Sequence, residues 1–295
     1  MDIVVGLQQF AAFLVNASFS VLVGSLAARY WMVPQGVSWQ KDATRTLLRL
    51  EPAVAGVGVL SCAAALWAAC AVMNGSGLVA AVPMLWTMLT QTSYGHVSLA
   101  AMGALACVLA LSLAAPGKLR DIVALLLLMV FALARAANSH AAEDGFASVS
   151  FVAEWLHLQL IGVWTGGVVL AACVTLNAAK RGAELEHYLD ALSLAATIAL
   201  AGILASGIYN AWQRVGTLDH LTGNPYGTAL MVKLGLVLVA IVLGGYNKLA
   251  GFPGAARSDA MLARARLVLR IEAVLLAGAL AAAAVLTVQQ PPMAG

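Results

Sequence analysis

Charged residues are scarce in this sequence. Asp, Glu, Lys and Arg together make up 10% of the 295 residues, against about 25% in a typical soluble domain. Cysteine is scarce as well: there are four (Cys62, Cys70, Cys107 and Cys173), none in a CxxC pair and all in apolar stretches. These shortages exclude a soluble globular protein, a disordered chain and a disulfide-stapled secreted domain. There is no Walker motif, Rossmann glycine pattern, Ser-His-Asp spacing or HExxH, so nothing supports ATP-driven pumping within the chain. The net charge of +3 is too small to point to nucleic acid. What is abundant is apolar: 62% of residues are hydrophobic and the mean hydropathy is +0.91. Such a chain belongs in a lipid bilayer, where only helices or closed barrels satisfy the backbone. The fold class is therefore all-α, a polytopic membrane protein.

Uncharged runs mark the spans. Ile3–Ala28 carries no Asp, Glu, Lys or Arg, and neither does Pro52–Gly117, which is too long for one helix and is broken by Asn74-Gly75-Ser76-Gly77 and Pro83. With about 20 residues needed per crossing, eight transmembrane helices are expected. They lie near residues 7–30, 51–73, 92–114, 119–141, 150–178, 188–213, 226–248 and 264–288. Thirteen Lys and Arg residues, including Arg29, Arg45, Lys118, Arg120 and Arg270, fall on one side, while Arg135 and Arg214 fall on the other. The positive-inside rule then puts both termini outside, in the periplasm of a Gram-negative host. Met1-Asp2 lacks the basic start of a cleaved signal peptide, so the first helix is expected to remain. Thr92-Ser93-Tyr94-Gly95 and Asn224-Pro225-Tyr226-Gly227 each open an apolar helix after an outer loop. This suggests two parallel four-helix repeats, residues 1–142 and 143–295.

The remaining polar residues carry the chemistry. His96, His140, His157 and His220 map to the outer side, and imidazole is a ligand for copper and zinc. Glu154 and His157 are three apart and share a helix face, with His157 roughly 10 Å deep at 1.5 Å per residue. Such groups are costly in a membrane unless paired, hydrated or metal-bound. One reading is a Glu–His or Glu–Lys pair that holds helices together, and the other is metal or cofactor ligation by His140 and His157. Lys233, seven residues after Tyr226, reaches a similar depth and is expected to neutralise Glu154 or to gate a cation. Glu272 reads as an interface salt bridge with Arg264, Arg266 and Arg270. Thioethers suit Cu(I), and Met84 and Met88 are four apart near the outer side, a spacing equally suited to packing.

Several segments resemble the copper resistance protein D family of bacterial inner-membrane proteins. They are Ser139-His140-Ala141, Leu156-His157-Leu158 with Trp164-Thr165-Gly166-Gly167, Ala205-Ser206-Gly207 with Asn210, Tyr226-Gly227 with Leu230 and Lys233, Asn247, and Gln289-Gln290-Pro291-Pro292. The resemblance implies an eight-helix protein of the cell inner membrane that handles copper, as Cu(I) or Cu(II), and moves it inward from the periplasmic face. It implies a periplasmic copper-binding partner of the copper resistance protein C type, and no enzymatic activity. The family's paired histidines map onto His140 and His157, and its position three before the second maps onto Glu154. His96 and Met88 are possible extra ligands. A haem-binding membrane redox protein, and a non-transporting copper sensor or assembly partner, are the alternatives.

Overall fold

Apolar stretches separated by Gly, Asn and Pro fold into nine helices among the described residues, and no strand forms among them. The computed structural model describes residues 2–179, 182–215, 224–255 and 257–289. The helices are α1 (Asp2–Met32), α2 (Gln40–Met73), α3 (Leu78–Gln91), α4 (Ser93–Ser112) and α5 (Lys118–Ala137). They continue with α6 (Val149–Ala178), α7 (Ala183–Val215), α8 (Pro225–Ala255) and α9 (Asp259–Leu286). Seven of them, all but α3 and α5, are long and apolar enough to cross a membrane. His220, Gln290, Pro291 and Pro292 lie outside the described residues.

Three differences from the sequence-based expectation concern where helices begin. The segment 74–91, read as a break, contains α3, a helix of 14 residues that accepts Pro83 in its second turn and folds back on α2. Helix α2 starts at Gln40 rather than near 51, because Ala43, Leu47 and the paired Glu51 bury one face of the early turns while Lys41 and Arg45 are exposed on the others. Its 34 residues span about 51 Å, well beyond a hydrocarbon core of about 30 Å. Helix α5, expected to be a span over 119–141, ends at Ala137 and carries Lys118, Arg120, Asp121 and Arg135 within 20 residues, which leaves it outside the seven.

The two Tyr-Gly segments form the same local structure. Thr92 caps α4 by accepting a hydrogen bond from the Gly95 N–H at 3.0 Å, and Asn224 caps α8 by accepting from the Gly227 N–H at 2.7 Å. In both, the capping residue and the glycine are three apart, the spacing at which a side-chain oxygen reaches an orphan N–H of the first turn.

Helices α1 and α6 run parallel through the middle. A methyl group on Gly166 would collide with the Ser20 carbonyl, and one on Gly24 would strike the Gly166 backbone. Small residues are what let two backbones approach this closely in a bundle. Both helices widen into single π-turns toward the same end, at Ala28–Met32 and Ala171–Thr175. Around this pair, α2, α5 and α9 pack on α1, and α5, α7 and α9 pack on α6. Helix α4 packs on α5 and also on α2, which closes the first half. Helix α8 packs extensively on α9 but makes no comparable contact with α7. That gap leaves a cavity.

Candidate functional site

The cavity has a volume of about 360 Å³ and lies among α6, α7, α8 and α9. Its walls are mostly apolar, with His157, Trp164 and Thr165 from α6, Trp212 from α7, and Lys233 from α8 among the lining side chains. Apolar pockets of a few hundred cubic ångströms with a small number of polar groups are the usual form of a small-ligand site.

His157 is buried, with its Nδ1 2.9 Å from Ser206 Oγ on α7. The Ser206 hydroxyl donates its one proton to the Gly202 carbonyl at 2.6 Å, so toward the imidazole it acts as acceptor. His157 therefore carries its proton on Nδ1, and Nε2 keeps the lone pair. A histidine held in this way by a second group is the arrangement seen around metal-binding imidazoles. Gly207 permits it, because a Cβ there would sit 3.2 Å from His157 Cε1.

Glu154, one turn earlier on α6, is bound from α7. Its Oε2 accepts from Asn210 Nδ2 at 2.8 Å and from Arg214 Nη2 at 2.9 Å. Arg214 also lies near the Tyr226 side chain at the start of α8. The direct ion-pair partner of Glu154 is Arg214, which the sequence placed on the outer side, while Lys233 lies beyond ion-pair distance and acts on the carboxylate through a longer-range charge interaction. Helix α7 runs two residues past its expected end, to Val215, and so includes Arg214, which reaches the carboxylate. Lys233 instead faces the cavity that His157 lines.

The other predicted ligands are distributed over the same end of the bundle. His140 begins a short 3-10 turn, His140–Ala142, after α5; it is exposed, and its Nδ1 meets Glu143 Oε1 at 2.7 Å. It does not line the cavity with His157. His96 is exposed in the first turn of α4, with Nε2 3.1 Å from the Thr90 carbonyl. Met88 is buried beside Cys70 and Leu66, in a core formed by α1, α2 and α3, whereas Met84 is exposed. Among the described residues, no three His, Cys, Asp or Glu side chains converge on one metal position.

One buried polar feature went unread in the sequence, and a second differs from its expectation. At the opposite end of the bundle, Arg29 bonds Asp121 at 2.6 Å and Glu51 at 2.9 Å, while Arg120 bonds Glu51 at 2.5 Å and Asp121 at 2.9 Å. Tyr30 donates to Asp121 at 2.6 Å and Ser25 to Glu51 at 2.8 Å. The four charges close a neutral ring joining α1, α2 and α5. The available signal was the pair of carboxylates, Glu51 and Asp121, each set beside an arginine at the edge of an apolar run. The second feature is Glu272, which is 2% exposed. Its expected interface salt bridge with Arg264, Arg266 and Arg270 does not form: Arg264 and Arg270 are exposed, and Arg266 donates to the Leu176 carbonyl. Glu272 instead lies against Gly244, with the Trp164 indole as its polar neighbour.

Comparison with known proteins fits this architecture. The family pattern described as Copper resistance protein D matches residues 186–286, and that described as Copper resistance protein D-like, N-terminal domain, matches residues 3–149. The Copper transport protein CutJ of Bacillus subtilis (strain 168) is 32% identical over 120 residues, which are 39% of this chain and 22% of that protein. The chain thus matches less than a quarter of that relative's length. No solved structure matches. With seven apolar helices of spanning length and family matches over both halves, the chain belongs to the copper resistance protein D family and is a copper-related, multi-pass membrane protein.

Proposed function

We propose that this protein is an inner-membrane copper transporter, not an enzyme, that takes copper from the periplasmic face toward the cytoplasm through the cavity of α6–α9. Copper is the cargo. The observation that carries this reading is the buried His157 lining the cavity with its Nδ1 at the Ser206 hydroxyl, an arrangement that assigns the lone pair to Nε2. Imidazole nitrogen suits copper in either common oxidation state.

In this reading α5 is an eighth span, the chain is two four-helix repeats (1–142 and 143–295), and both termini lie in the periplasm. The matched caps of α4 and α8, the paired π-turns of α1 and α6, and the central α1–α6 contact support the duplication. His140, exposed on the same end as the cavity, is the first imidazole met by copper from a periplasmic carrier of the copper resistance protein C type. His157 is the second, about 12 Å along α6 from its first residue by helical rise. Glu154 holds Arg214 and keeps α7 in register with α6, so that Ser206 stays opposite His157. His96 and Met88 lie on the first repeat and are auxiliary ligands at most. Lys233 sets the charge of the cavity and guards it against ions that bring no compensating charge.

Metal analysis of purified protein, loaded with Cu(I) and with Cu(II), tests this. Wild type is expected to retain stoichiometric copper, and the His140→Ala/His157→Ala double variant to lose it. Uptake into sealed vesicles separates a transporter from a protein that only binds. Equal copper in wild type and double variant overturns the histidine site.

A further inference from the structure

Glu272 stands thirteen residues into α9, about 20 Å along a helix of about 42 Å by its rise. It lies just past the exposed Arg270, where the apolar run of α9 begins, and a carboxylate buried to 2% exposure needs a counter-charge. Among the described residues no cation lies within ion-pair distance of it. The charged groups on the elements packed against α9 are engaged elsewhere. On α1, Arg29 pairs with Glu51 and Asp121, and Asp2 is exposed. On α6, Glu154 pairs with Arg214 and His157 bonds Ser206. On α8, Lys233 lines the cavity and Lys248 bonds Thr197 at 3.0 Å. On α9 itself, Arg266 bonds the Leu176 carbonyl, and Arg264 and Arg270 are exposed. The Trp164 indole on α6 is its polar neighbour.

Trp164 also lines the cavity, so one side chain separates Glu272 from the space where His157 and Lys233 meet. The charges around that space do not balance. Glu154 and Arg214 offset each other, and Lys233 adds a basic group with no acid within ion-pair distance among the described residues. In an environment of low dielectric, adding a monovalent cation beside Lys233 is strongly opposed unless a negative charge appears close by. We propose that Glu272 supplies it: the carboxyl is a neutral acid while the cavity is empty, and gives up its proton when Cu(I) occupies the cavity. This rests on the reading of the cavity as a copper site. The balance is one for one. The O–H bond of the acid breaks, the proton leaves to solvent, the electron pair stays on the carboxylate, and Cu(I) enters with no change in oxidation state. Because the site gains and loses one positive charge, copper binding becomes an exchange of Cu(I) for a proton. Trp164, which lines the cavity, stands between that space and the carboxyl.

The test uses the full chain in detergent at low buffer strength, titrated anaerobically with Cu(I) in acetonitrile while a pH indicator counts protons. Wild type is expected to release about one proton per copper bound. Glu272→Gln is expected to bind copper and release none, and Glu272→Asp to restore release. Infrared difference spectra give a readout that does not depend on a variant's folding: a protonated-carboxyl band of the apo wild type should vanish when Cu(I) is added. Proton release from Glu272→Gln equal to wild type, or a wild-type carboxyl band unchanged by copper, overturns the proposal while the copper site stands. Release that persists in Glu272→Gln and disappears in Lys233→Met assigns the proton to the lysine and also overturns it. Failure of wild type to bind Cu(I) at all overturns the copper reading itself, and this exchange with it.

Discussion

Ser206 Oγ lies 2.9 Å from His157 Nδ1, and its own proton is committed to the Gly202 carbonyl. The direction of that one hydrogen bond decides which ring nitrogen of the buried histidine can bind a metal. Replacing Ser206 by Ala removes the acceptor and frees the tautomer. Copper affinity is expected to fall by about 10- to 100-fold, the usual cost of losing such a supporting group. Competition titration of Cu(I) against a chromophoric chelator measures this, and nitrogen NMR of labelled histidine reports the tautomer. Unchanged affinity would mean that copper does not use Nε2.

Removing Arg214 leaves Glu154 facing α7 with only Asn210. An unpaired, mostly buried carboxylate costs about 3–5 kcal/mol, so Arg214→Met is expected to lower the thermal midpoint markedly. Glu154→Gln/Arg214→Met removes both charges and should recover much of the loss. A double variant no more stable than Arg214→Met would show that the pair holds nothing together.

The ring of Arg29, Glu51, Arg120 and Asp121 carries the same logic to the other end of the bundle. Its side chains are each less than 9% exposed. Asp121→Asn breaks two ion pairs and leaves Arg29 and Arg120 sharing one carboxylate. The expected destabilisation is about 3–5 kcal/mol, read as a shift in the midpoint of chemical or thermal unfolding in micelles. Lys41→Gln, on an exposed position of α2, serves as the control and should change little.

Gly166→Leu tests the central contact. Even a methyl group there meets the Ser20 carbonyl, so a larger side chain must push α1 and α6 apart. Overpacking of this kind costs about 1–3 kcal/mol or more. The loss should appear in stability and also in copper binding, since α6 carries His157. Wild-type stability in this variant would mean that α1 and α6 are not in contact.

The proposed orientation is checked by labelling. Ser139→Cys, beside His140, should react with a membrane-impermeant maleimide added outside intact spheroplasts, whereas Arg45→Cys should react only after lysis. The reverse pattern would invert the topology and put the cavity on the cytoplasmic side.

Much of the fold was legible because its determinants are local. Apolar run length marks the spans, since each helix must satisfy its own backbone in lipid. The Thr92–Gly95 and Asn224–Gly227 spacings identify helix starts, since an N-cap acts within its own first turn. Helix α3 was hidden because Asn74-Gly75-Ser76-Gly77 and Pro83 look like one long break, although Pro83 is tolerated in the second turn of a short helix. The early turns of α2 were hidden because their charges imitate a loop.

The site was only partly legible. His157 and Glu154 could be placed on one face of α6 by their spacing alone, and Lys233 at a comparable depth by counting residues. The amino-acid sequence by itself determined which helices form, where they are capped, and which few polar groups enter the apolar region. Only the tertiary structure decided that Arg214 rather than Lys233 takes Glu154, that Ser206 orients His157, that Arg29 closes a ring with Asp121, and that Trp164 reaches Glu272. The physical reason is that a hydrogen bond between helices depends on their mutual rotation and axial register to within about 1 Å. Those quantities are set by packing across the whole bundle, down to the contact of Gly24 with Gly166, and no single helix encodes them.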